Sequence, residues 1–267
     1  MQIFKTRLPS RAKTLSLLDD HCAAALRDRL LDMARRDFTE ALWVGAGAPE
    51  GMALRDWPVE GDIEHFAYPP ASLDLIVVNG TLNRVNDLPG VLVQMRRALK
   101  PDGLFLAAML GGESMFELRD SLTRTEAAMF GGAAARVHPM VDLPTMAGLM
   151  QRAGYALPVV DSELKTIFYR QLKTLLHDIR ASGEGLALAA RSKKYLGKGF
   201  WEAVEADYKA AHSAPDGLLE ASIEVLFATG WAPAESQQKP LKPGSAEKRL
   251  ADALGTVETP LPDRSRP

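Results

Sequence analysis

The chain has 267 residues, 46% hydrophobic and 25% charged, and a formal net charge of -2. It is long enough to bury a full core, and the charge balance offers no broad basic field for sequence-independent nucleic-acid binding. The lone Cys22 excludes an internal disulfide, and no apolar run approaches the ~20 residues of a bilayer span. The opening lacks a signal-peptide pattern, although Lys5, Arg7, Arg11 and Lys13 precede the first acid, Asp19, which suits either a solvated basic end or an organelle-targeting peptide. A reducing compartment is the expectation.

In chain order, Leu15, Leu18, Cys22, Leu26, Leu30 and Met33 recur at helical spacing and predict an amphipathic helix within an N-terminal segment, residues 1–36. Ala41-Leu42-Trp43-Val44 then reads as a buried parallel strand running into the glycine turn Gly45-Ala46-Gly47. A second such run, residues 73–78, ends at Asn79-Gly80. A third, residues 104–109, is opened by Pro101-Asp102-Gly103 and closed by Gly111-Gly112. Between them Leu88, Val91, Leu92, Met95 and Leu99 form a stripe behind a capping Asp87, so a right-handed crossover sets the second and third runs side by side and parallel.

Ser114 and Glu117 have capping-box spacing, which predicts a helix with Leu118, Leu122 and Met129 inward, stopped by Gly131-Gly132. Asp142 caps another helix, with Pro144 in its first turn and Gly154 at its end. Residues 158–161 and 164–169 are expected as two strands, 171–181 and 200–211 as helices, the latter with Phe200, Val204 and Tyr208 on one side. The alternation of Ile223, Val225 and Phe227 marks a last strand. These elements predict an α/β domain over residues 37–232, a Rossmann-like sheet with helices on both faces. Proline and charge make 233–267 a largely disordered tail.

In an open parallel sheet the ligand crevice lies beyond the carboxyl ends of the strands. Gly45, Gly47, Asn79 and Gly111 fall there, and the two glycines of the first turn permit close backbone approach to a ligand or form a plain structural turn. The five histidines are scattered with no metal spacing. His138 is a candidate base or part of a lid, and Asn79 a substrate contact or a turn former. No nucleophile elbow, phosphate loop or Cys-x-x-Cys pair is present.

The pattern Gly61-Asp62-Ile63-Glu64-His65-Phe66, then residues 71–79, Val85-Asn86-Asp87 and Leu99-Lys100-Pro101-Asp102-Gly103, resembles the middle of the S-adenosylmethionine-dependent methyltransferases. That resemblance implies a mostly parallel sheet with an antiparallel end strand. It makes Asp62 the acceptor for the adenine amino group, Ile63 the residue packed on the ring, and Gly45, Gly47 and Asn79 further cofactor contacts. Downstream, residues 109–122, Arg136-Val137-His138-Pro139-Met140, Arg152-Ala153-Gly154-Tyr155 and Gly230-Trp231 resemble the mitochondrial complex I assembly factor 5 family and its bacterial relatives, themselves similar to malonyl-carrier-protein methyltransferases. This branch implies a protein partner such as a complex I subunit, and a bacterial cytoplasm or mitochondrial matrix.

The cofactor half departs from the family. About 15 residues separate Gly47 from Asp62, too few for two helical crossovers, so the sheet is expected to be shortened at its second strand. No residue clearly matches the acid that holds the cofactor ribose, though Glu60, Asp62 or Glu64 are candidates, and Ala48-Pro49 alters the glycine loop. Two functions stay open: an active modifier of a protein side chain, by methylation or arginine hydroxylation, and a binding or assembly factor with weakened or lost S-adenosylmethionine binding. A nicotinamide-dependent reductase fits poorly, because a third glycine before a helix is missing.

Overall fold

A computed structural model describes residues 16–33, 37–50, 54–55, 63–182, 184–186, 188, 191–237 and 255–257. The chain divides into one unit, Met1–Ala234, and a second, Glu235–Pro267. Most of the expected tail lies outside the described residues. The first unit contains helices α1 (Ser16–Met33), α2 (Leu88–Ala98), α3 (Phe116–Phe130), α4 (Leu143–Arg152), α5 (Leu172–Ala181) and α6 (Gly197–Ala211). Its strands are β1 (Ala41–Val44), β2 (Leu54–Arg55), β3 (Leu73–Asn79), β4 (Leu99–Leu110), β5 (Ala156–Tyr169) and β6 (Leu219–Trp231).

The six strands form one sheet in the order β2-β1-β3-β4-β6-β5. β2, β1, β3 and β4 are mutually parallel, and β6 runs antiparallel to both neighbours. The last strand of the chain therefore sits inside the sheet, and β5 forms the edge beyond it. Burial on both faces explains the near-continuous apolar sequences of β1, β3 and β6, because alternate side chains enter opposite cores. Leu42, Val44, Ile76, Val78 and Phe105 join one core with Met95 of α2 and Met150 of α4. Trp43, Leu75, Val77 and Phe227 join the other with Cys22, Ala23, Leu26 and Leu30 of α1.

Several local expectations are realised. Asp87 accepts the Gly90 amide at 2.9 Å and Asp142 the Thr145 amide at 2.8 Å, capping α2 and α4. α2 joins the parallel, hydrogen-bonded pair β3 and β4. β4 starts immediately after α2, five residues earlier than the turn at Pro101 suggests, and carries Lys100, Pro101, Asp102 and Gly103 as an irregularity between Leu99 and Leu104.

Other expectations are corrected. Ser114 does not cap α3. Its Oγ donates to the Glu224 carbonyl at 3.0 Å, while the Glu117 carboxylate, 2% exposed, accepts the amide and hydroxyl of Ser222. The box residues brace α3 to β6, and Met115, at φ 56°, takes the cap position without a side-chain bond. Met129 is 47% exposed because the last turn of α3 overhangs the third core, built by Leu118, Leu122, Phe200, Val204 and Tyr208. The two strands expected over 158–169 are one 14-residue strand, β5, paired along its length with β6. Met33 of the first stripe is 36% exposed at the end of α1, and Leu15 lies outside the described residues.

Leu54 and Arg55 pair parallel to Ala41 and Leu42 as β2, and residues 51–53 and 56–62 on either side lie outside the described residues. At most residues 45–53 connect it to β1, below the dozen or more of an ordinary parallel crossover.

Candidate functional site

The carboxyl ends of β1, β3 and β4 bring Gly45, Gly47, Asn79 and Gly111 to one end of the sheet. Gly45 has φ +101°, and a Cβ there would lie 2.1 Å from the carbonyl oxygen of Asn79, so the β3 backbone itself demands glycine. Asn79 is fully buried. Its Nδ2 donates to the Asp19 carbonyl of α1 at 3.1 Å and to the Ala46 carbonyl at 3.0 Å, tying helix, glycine turn and strand together.

Gly47, at φ +80°, faces α1 directly. A Cβ at Gly47 would stand 2.3 Å from Cβ of Ala23, and Arg27 donates to the Gly47 carbonyl at 2.8 Å. α1 therefore covers one side of the turn, while Gly45 stays exposed and Gly47 half-buried. Among the described residues, a void of about 20 Å³ lies at this end of the sheet, bordered by Asp19, Cys22, Asn79, Asn83 and Glu184. That is room for about one water, against the ~300–1,000 Å³ of small-molecule sites. Between Gly47 and α1 there is no room for a ligand atom. Oδ1 of Asn79 and of Asn83, both buried, have no hydrogen-bond partner among the described residues.

On the adenine side, Asp62 lies outside the described residues, as do Glu60 and Gly61. Ile63 is partly buried and packs on the core shared with Val44, Phe66 and Leu82. Glu64 accepts both the backbone amide and the side-chain amide of Asn86, and Gln94 bonds the backbone of Glu64 and Phe66. That engagement counts against Glu64 as the ribose acid.

A larger chamber, about 510 Å³, opens next to the void and shares Leu18, Leu110 and Glu184 with it. Its wall is largely apolar, from Met115, Leu118 and Leu122 beside and on α3, Leu176 and Ile179 of α5, and Trp201 of α6. Sequence reasoning did not find it, because its walls come from segments tens of residues apart. The stripe Leu118/Leu122 is the available signal, and by spacing alone it indicates a core face. Glu184 separates the two spaces: it pairs with Arg84 at 2.6 Å and accepts from Asn83 at 3.0 Å.

His138 lines the chamber, 3% exposed, with Nε2 2.9 Å from the carbonyl oxygen of Asn83. A carbonyl only accepts, so Nε2 carries the proton. Burial is the main cause that lowers the His138 pKa, so the neutral ring is favoured. Arg136 also lines the wall and is held by Glu126 at 2.6 Å, a contact that keeps the Glu126 carboxyl below its ordinary pKa. Burial followed by the neighbouring Asp178 pushes the Tyr169 phenol to about 12, so it remains a neutral donor. No group of three or more His, Cys, Asp or Glu is placed to hold a metal among the described residues, and no described helix is long and apolar enough to cross a membrane.

With this geometry in view, known proteins provide the context. A methyltransferase domain family matches residues 26–107. A candidate methyltransferase from Bacillus halodurans superposes with a TM-score of 0.51 at 11% identity, covering 79% of this chain and 99% of that one, a likeness of fold. Arginine-hydroxylase NDUFAF5, mitochondrial, of Danio rerio is 34% identical over 289 residues, 94% of this chain and 89% of that protein. The Dictyostelium discoideum counterpart is 39% identical over 69% of this chain, which spans 42% of its length. A malonyl-[acyl-carrier protein] O-methyltransferase of Laribacter hongkongensis is 31% identical over 68% of this chain and 59% of its own.

Sheet order, crevice position and the domain match define a Rossmann-like methyltransferase fold. Within that class the chain belongs to the family of the mitochondrial arginine-hydroxylase NDUFAF5.

Proposed function

We propose that this chain acts with a protein partner, a subunit of respiratory complex I, as a methyltransferase-fold assembly factor whose binding of S-adenosylmethionine is weakened or lost. One observation carries the cofactor part: Cβ of Ala23 lies 2.3 Å from where a side chain of Gly47 would begin, so α1 crowds one side of the glycine turn. The short connection from β1 to β2 and the engagement of Glu64 by Asn86 add to it, since both weaken the ribose side of the cradle. The partner part is supported by kinship with the NDUFAF5 proteins, and kinship of fold alone does not fix chemistry. The same kinship supports a bacterial cytoplasm or a mitochondrial matrix as the site of action.

A second reading, an active methyltransferase or arginine hydroxylase of a protein side chain, is favoured by the position of the chamber. Leu18 of α1 borders both chamber and void, so withdrawal of that end of α1 would join them. The test is a deletion strain complemented with tagged protein. Restored complex I assembly, with a complex I subunit co-purifying and neither methylated nor hydroxylated on that subunit, supports the first reading. Loss of rescue on blocking the methyl donor supports the second. Normal complex I in the deletion strain removes the first.

A further inference from the structure

The charges around the 510 Å³ chamber are unevenly committed. Arg136 belongs to Glu126 and Glu184 to Arg84, while Asp178 is engaged by Tyr169. Arg180 and Arg191 line the same space, and neither has a carboxylate partner among the described residues; Arg191 donates only to the Leu188 carbonyl, at 3.3 Å. An apolar wall with two uncommitted guanidinium groups is complementary to a molecule with a greasy body and an anionic end, since guanidinium forms its strongest hydrogen bonds with carboxylate and phosphate oxygens. The Asp178 carboxylate keeps its charge beside the neutral Tyr169 phenol, so the two free guanidinium groups outweigh one free carboxylate around the space.

We infer that the chamber is a binding site for a single apolar chain ending in an anion, with the chain against Leu118, Leu122, Leu176 and Trp201 and the anion at Arg180 and Arg191. The site lies beside the glycine crevice, not in it, so occupation requires neither S-adenosylmethionine nor a protein partner. This inference does not depend on the proposed function. A volume of 510 Å³ falls within the range of sites for molecules of this size.

The test is calorimetric titration of the full chain with decanoate, decyl phosphate, decanol and decylammonium. Decanoate or decyl phosphate is expected to bind saturably, and whichever is tighter identifies the head group. Decanol is expected to bind more weakly and decylammonium not at all. Arg180 is on the exposed side of α5, so R180Q leaves the core intact, and R180Q/R191Q should weaken the anions by about tenfold or more, as for lost charge-assisted bonds, with decanol unchanged. L176W should block every ligand. Absence of binding by all four, a preference for decylammonium, or equal affinity of decanoate and decanol in both wild type and R180Q/R191Q overturns the inference.

Discussion

Substituting Gly47 with Ala should destabilise the protein through two separable effects. The φ of +80° puts an L-residue in the left-handed region, at about 1–2 kcal/mol. The new Cβ would also lie 2.3 Å from Cβ of Ala23, an overlap that α1 must relieve by shifting, at about 1–3 kcal/mol. Together these come to roughly 2–5 kcal/mol, or a fall in Tm on the order of 4–20 °C for a domain of this size. Urea unfolding of wild type, G47A, A23G and A23G/G47A separates the two. Ala23→Gly removes the atom that is struck and leaves the backbone penalty, so the double-mutant cycle should show a coupling of about 1–3 kcal/mol. Additive costs in that cycle would mean that α1 is not seated on the glycine turn, and the reasoning about a crowded turn would fail with it.

Glu117→Ala should cost about 2 kcal/mol or more in the same assay, because the amide and hydroxyl of Ser222 lose their acceptor in a buried position. His138 has a native pKa depressed below the ordinary 6.5, so the unfolded chain binds its proton first as pH falls. Its contribution is complete above about pH 6.5 and is lost below it, toward the native pKa; H138N should flatten that slope in a pH series of unfolding free energies. Glu126, lowered chiefly by its hydrogen bond from Arg136, contributes above its ordinary 4.5 and loses that contribution as pH falls through its lower native value. E126Q should remove the corresponding acid limb.

The fold was legible where signals are local. Asp87 and Asp142 announce their helices, and Val91, Leu92 and Met95 give the crossover that makes β3 and β4 neighbours. Misreadings arose where a local motif serves a distant partner. Ser114 and Glu117 have the spacing of a cap, yet their oxygens are used by β6, more than 100 residues on. β5 was split because Ser162 and Glu163 interrupt its apolar pattern, whereas its continuity comes from pairing with β6.

The site divides in the same way. Strand ends told which residues converge, and Gly45, Gly47 and Asn79 do meet. Nothing in the sequence of α1 says that Ala23 rests on Gly47, because that contact joins segments 24 positions apart through the packing of a whole helix face. The chamber was hidden for a similar reason: Leu122, Tyr169, Leu176 and Trp201 share no motif and meet only once α3, α5 and α6 pack together.

The proposal that cofactor binding is weakened or lost, with α1 against the glycine turn, is tested most directly by titrating the purified full chain with S-adenosylmethionine and following both heat and Tm. The account expects no saturable heat and no change in Tm at concentrations where family enzymes are occupied. Micromolar binding with the rise in stability due to a saturating ligand, about 2.7 kcal/mol at 100 times the Kd, or cofactor carried through purification, would contradict it.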